Sequence, residues 1–183
     1  MKKIIVGVVA MAAAVAAQAA SVSWTCTNVY KDADNKSSGI AYLVTTDQCA
    51  DFSALAGKGA ADMLAALGSS YSWTPTTAGT YSASAENAAL GMSDSSSYQA
   101  YIVVFDTATV TDDSKFYVTT TKAVETYTGD NTAKVAFGSQ ATPSKASGAW
   151  ASVGGGGEQV PEPTSGLLLL VGLAGLALRR KQA

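Results

Sequence analysis

Histidine is absent from all 183 residues, and that one fact narrows the available chemistry most. It removes histidine general bases, histidine-dependent nucleophile triads and imidazole metal ligands. A serine nucleophile would then need a lysine base, and no Ser-x-x-Lys spacing occurs. Gly57-Lys58-Gly59 lacks the remaining spacing and the preceding strand of a phosphate loop. Carboxylates remain. Asp32-Ala33-Asp34-Asn35 opens like a calcium loop, but Ser37 stands at its glycine position and Leu43 at its closing glutamate. Residues 31–39 therefore read as a solvated turn, and Asp112-Asp113 and Asp130-Asn131 as two more. Two carboxylates flanking a sugar bond can hydrolyse it, so a small hydrolase stands as the third reading of function. No pair is singled out by spacing, and the expectation is a protein that is not an enzyme, with no catalytic, cofactor or metal residues.

The aromatic residues offer a different chemistry. Trp24, Trp73, Trp150 and eight tyrosines have flat rings that stack on the apolar faces of sugars. A carbohydrate-binding module is accordingly the second reading, and core packing is the competing use of the same side chains.

The elements that must position these residues are mostly strands. Residues 22–30 alternate, with Val22, Trp24 and Cys26 on one side and Ser and Thr on the other. Residues 40–46 read as a second strand, paired with the first as a hairpin. The run Ala100-Tyr101-Ile102-Val103-Val104-Phe105 is apolar without interruption, which predicts a central strand buried on both faces. Residues 71–74, 80–85, 115–120, 124–128 and 132–137 complete the strand set, the last two joined as a hairpin through Gly129-Asp130-Asn131. A last short strand includes Trp150. One helix is expected within 51–67, where Phe52, Leu55, Met63, Leu64 and Leu67 have roughly helical spacing: either a single helix broken at Gly57 and Gly59, or a loop followed by a helix from about Ala60 to Leu67, ended by Gly68. Seven or so short strands favour a mainly β fold, an antiparallel β-sandwich of jelly-roll or immunoglobulin-like type with one short helix. Cys26 and Cys49, an even pair in an exported segment, predict a disulfide closing about 22 residues and contributing roughly 3 kcal/mol.

The ends carry signals of a different kind. Lys2-Lys3, the apolar run 4–17 and the small residues Ala17 and Ala19 form a secretory signal peptide, residues 1–19. Signal peptidase is expected to cut before Ala20, which leaves the exported β-rich domain at 20–153. Gly154 opens a run of four glycines in a flexible tether, 154–159. The apolar run 166–178, 13 residues long, spans about 20 Å as a helix against a hydrocarbon core of about 30 Å. Counted as 164–178 it is a marginal transmembrane helix. Arg179, Arg180 and Lys181 after it fix the C-terminus inside as a stop-transfer cluster. Without the five cations at the two ends, seven lysines face fourteen acids, a net −7. An acidic body with no arginine argues against a nucleic-acid partner.

Val160-Pro161-Glu162-Pro163, the apolar run, and the terminal arginines stand in the order of the PEP-CTERM sorting signal, which residues 160–183 resemble. The resemblance implies an exported Gram-negative protein recognised by an exosortase-type membrane transpeptidase. It implies cleavage near Pro161, Glu162 and Pro163, a transient inner-membrane precursor with the domain outside, then a cell-surface or matrix location associated with exopolysaccharide. Physically, Pro161 and Pro163 restrict their own φ and disfavour helix just before each, which suits an extended peptide entering a protease cleft. The leading expectation is a structural or adhesive surface protein.

Overall fold

The computed structural model describes residues 19–68 and 71–154. Nine strands occur in chain order: β1 (Ser21–Thr27), β2 (Ala41–Thr45), β3 (Tyr71–Trp73), β4 (Tyr81–Glu86), β5 (Ser97–Phe105), β6 (Lys115–Val118), β7 (Lys122–Glu125), β8 (Thr132–Ser139) and β9 (Ala151–Ser152). Helices α1 (Ala60–Leu67) and α2 (Ala141–Lys145) join them, with 3-10 turns at Phe52–Leu55 and Ala88–Leu90. The strands form two sheets, one of order β4-β1-β8 and one of order β3-β2-β5-β6-β9 in which β7 also pairs with β5. The mainly β sandwich expected from the pattern is therefore present.

Alternation builds the smaller sheet. Val22, Trp24 and Cys26 of β1 are buried, as are Tyr81, Ala83 and Ala85 of β4, while the serines and threonines between them face outward. Register sets large against small: Trp24 opposes Ala83, and Val22 opposes Ala85. Each fully buried large side chain contributes about 1.5–3 kcal/mol through apolar burial.

β5 is the central strand that its unbroken apolar run predicts. Ala100, Ile102 and Val104 face the core between the two sheets. Tyr101, Val103 and Phe105 face a second core, with Val44, Phe52, Met63, Leu67, Phe116 and Val153. α1 and the 3-10 turn before it thus form a third layer on the outer face of the larger sheet. Phe52 fixes that layer by edge-on contacts to Phe105 and Phe116, at centroid distances of 6.2 and 5.3 Å. Such pairs add about 0.5–1.5 kcal/mol beyond area. Of the two arrangements expected over 51–67 the second forms, with the helix starting only at Ala60, and Gly68 ends it at φ +53°, where a side chain would be strained.

Several expectations are corrected. β1 and β2 are not a hairpin; they lie in different sheets, β1 between β4 and β8, β2 between β3 and β5. β7 and β8 are likewise divided, because β7 pairs with β5 and β8 with β1. The polar stretches between these strands do turn the chain, but each carries it from one sheet to the other. The sandwich is not purely antiparallel: β8 runs parallel to β1, with a bulge at Thr25/Cys26 where Gly138 adopts φ +73°. Among the described residues there are two short α-helices rather than one; the sequence around Pro143 gives no helical periodicity that would announce the second.

The expected Cys26–Cys49 disulfide is also corrected, because both thiols are free. Cys26 lies in the core between the sheets and Cys49 packs on the opposite side of the larger sheet, so β5 stands between them. Burial pushes the Cys26 thiol up to about 12, so it is un-ionised and inert at neutral pH. In the native protein Cys26 should react with a maleimide roughly a hundredfold more slowly than Cys49. Both should react after denaturation without reductant. An unfolded chain two hydrogens lighter and blind to the reagent would restore the disulfide.

Candidate functional site: the end of the body and the sorting tail

The body closes at its C-terminal exit with little freedom. β9 pairs with β6 through Phe116 with Ala151 and Lys115 with Ser152. Gly57 N–H donates to the Ser152 carbonyl at 3.0 Å, and Val153 N–H to the Ser114 carbonyl at 2.9 Å. Val153 is fully buried among Phe52, Phe105 and Phe116. Gly154 N–H then donates to the Asp112 carbonyl at 2.8 Å. A Cβ at Gly154 would lie 2.7 Å from that oxygen, so glycine is required there for close approach.

Asp112 links this exit to the helical layer. Its Oδ1 accepts from Ala60 N–H at 2.7 Å, at the start of α1, where the N-cap Gly59 supplies no side chain. The carboxylate caps the helix from a distant turn and favours its positive end. An Asp112→Ala variant should lose about 1 kcal/mol in thermal melts. Asp112→Asn, which keeps an acceptor oxygen, should lose less than half as much.

The other acids with potential chemistry also brace the chain. Asp32 Oδ1 accepts from Asp34 N–H and Asn35 N–H at 3.0 and 2.8 Å, closing the 31–36 turn on itself. The Asn35 side-chain bond, followed by the two backbone bonds, holds the Asp32 carboxyl below its ordinary value. Because its folded value is depressed, its contribution to the turn is present at neutral pH and fades as acid protonates it. Asp51 caps the Phe52–Leu55 turn, and Asp106 accepts from Lys115 N–H at 2.8 Å. Among the described residues no three metal-ligating side chains come together.

The tryptophans are not a surface platform. Trp24 is 1% exposed in the core between the sheets, and Trp73 and Trp150 pack half-buried against it. Trp150 Nε1–H donates to the Tyr30 carbonyl at 2.8 Å, and its ring lies 5.8 Å from that of Tyr117. Tyr127 and Leu64 are the large apolar side chains left exposed among the described residues.

Beyond the exit only sequence speaks. Ala17, the tail motif Pro161, Glu162 and Pro163, and the cluster Arg179, Arg180 and Lys181 lie outside the described residues, as do nearly all of the expected signal peptide, 1–19, and the whole of the expected transmembrane segment, 164–178. At the other end Ala19 is exposed and Ala20 is 2% exposed, with its carbonyl accepting from Asn87 N–H at 2.9 Å. Among the described residues no helix is long and apolar enough to cross a membrane. Six residues separate Gly154 from Pro161, a contour of about 20 Å when extended.

Residues 159–181 match the family described as the PEP-CTERM protein-sorting motif. The chain carries a PEP-CTERM sorting signal. The match covers the tail alone and assigns nothing to the β body. No curated protein and no solved structure matches the chain. A PEP-CTERM signal points to exosortase-dependent sorting to the cell surface and implies export through a membrane-anchored precursor. The sequence displays every part of that signal. It does not display the exit that precedes it, because Asp112 and Gly154 meet only in the fold.

Proposed function

We propose that this chain is a non-enzymatic, exosortase-processed protein of the cell surface or extracellular matrix, with the β body as its structural or adhesive cargo in contact with exopolysaccharide. The match of residues 159–181 to the sorting motif carries the reading. The exit geometry supports it. The described body is closed by β9 and Val153, which precede the tail in the chain. The tether then supplies the reach an extended PEP segment needs to enter an enzyme at the membrane face. Acids that brace turns and caps favour a structural body over a hydrolytic one.

Intact-mass measurement of the protein extracted from the cell surface tests the sorting. The expected mass begins at Ala20 and ends near the Pro161-Glu162-Pro163 motif. A chain ending at Ala183, in cells that contain an exosortase, overturns it.

A further inference from the structure

The rim beside Tyr127 forms a depression of about 340 Å³ lined by Ser95, Ser96, Ser97, Glu125, Thr126 and Tyr127. We infer that this depression is a contact site for a neutral pyranose unit of a polysaccharide. Tyr127 is 46% exposed, on a body whose three tryptophans are all turned inward. An exposed ring of this kind offers a flat apolar surface with a polar tip, which is what the carbon–hydrogen face of a sugar ring stacks upon.

Polar groups stand beside that ring. Ser97 and Glu125 are directly opposed across β5 and β7, and both are exposed. Opposed residues of an antiparallel pair hold their Cβ atoms about 4.5–5.5 Å apart, so a hydroxyl and a carboxylate share one side of the depression. Unlike Asp32, Asp51, Asp106 and Asp112, Glu125 accepts no hydrogen bond among the described residues. Its two oxygens are free to take two vicinal sugar hydroxyls in charge-assisted bonds.

The floor under these groups is fixed in advance. Thr126 is 3% exposed, and its Oγ1 donates to the Ser93 carbonyl at 2.6 Å and accepts from Ser96 N–H at 2.9 Å. The Tyr127 carbonyl accepts from Asn87 Nδ2 at 3.2 Å, and Asn87 is itself buried. Ser95 sits at φ +49°, a left-handed conformation unusual for serine, which turns the loop around the depression. A site held this rigidly loses little entropy when a ligand settles.

Charge selects the ligand class. Glu125 lines the site, and the chain without its terminal cations is net −7. A uronate polymer would be repelled, whereas a neutral hexose polymer presents hydroxyls without charge. One ring and a few hydrogen bonds set the affinity per site on the order of 1 mM.

This inference deepens the exopolysaccharide contact proposed above, yet the two fail separately: mass decides the sorting, and titration decides the site. The test uses isotope-labelled protein recovered after export, titrated with cellohexaose, mannohexaose and maltohexaose, with polygalacturonate as the acidic comparison. At least one neutral oligosaccharide should move the amide resonances of Tyr127 and of residues 95–97. Tyr127→Ala should weaken that binding at least tenfold without lowering Tm, Tyr127→Phe should keep most of it, and Glu125→Gln should weaken it severalfold. Silence with all three neutral sugars up to roughly 20 mM, shifts confined to another face, binding unaltered in Tyr127→Ala, or preference for polygalacturonate would each overturn the site.

Discussion

Gly39→Ala is expected to destabilise the protein by about 3 kcal/mol or more, enough to lower Tm by roughly 10 °C in a body of this size. The cause is space. A Cβ at Gly39 would lie 2.1 Å from the Phe105 carbonyl oxygen, 2.5 Å from Thr107 N and 2.6 Å from Asp106 C. All three are backbone atoms, so none can swing aside as a side-chain tip would. The same backbone is tied to the chain just after Gly39 by Phe105 N–H to the Ile40 carbonyl at 2.8 Å and Ile40 N–H to the Thr107 carbonyl at 3.0 Å. Relief would require β2 and β5 to part at the place where both cores depend on β5. Gly129→Ala serves as the comparison. Gly129 has φ +71°, and a Cβ there would meet nothing within 4 Å, so that substitution meets conformational strain alone, about 1 kcal/mol. Thermal unfolding followed by circular dichroism distinguishes them. Equal losses in the two variants would show that the β2–β5 approach is softer than its distances imply.

The second large effect concerns the tail. Replacing Pro161, Glu162 and Pro163 together with alanine should leave the tail attached in essentially every molecule. Two φ-restricted residues and one carboxylate vanish from the segment an exosortase-type enzyme is expected to read. The contacts that close the body, through β9, Val153 and the Gly154–Asp112 bond, involve none of the three replaced residues; its stability should change by less than about 0.5 kcal/mol. Mass spectrometry of membrane and surface fractions reads the first effect, and a thermal melt of the same protein reads the second. Normal tail removal in the triple variant would place the recognition elsewhere in the tail. A lowered Tm would show that the tail packs on the body.

Part of the fold was legible because local pattern and tertiary role coincide. The unbroken run at 100–105 needed apolar partners on both faces and found them. Alternation at 22–26 named the buried side of that strand. The Ala-rich stretch 51–67 offers a helix, and the fold settles it at Ala60–Leu67. Strand pairing was not legible. Gly129-Asp130-Asn131 marks a reversal, but a turn residue sets the direction of the chain and not the sheet it joins. The partners of β1 are β4 and β8, far along the chain, and only the joint burial of Trp24, Tyr81 and Phe137 in one core selects them. The disulfide misled for the same reason. A loop of suitable length says nothing about a strand standing between its ends.

The sequence by itself determined that this protein carries a sorting signal. A sorting motif is a linear pattern, so its order of prolines, apolar run and cations carries its content, and residues 159–181 match it without reference to the fold of the body. Tertiary structure alone decided what the delivered body presents. It turned three tryptophans inward, left Tyr127 outside, and set Ser97 against Glu125 across a strand pair. The physical reason is that burial and juxtaposition belong to contacts between distant residues, and no local pattern carries them.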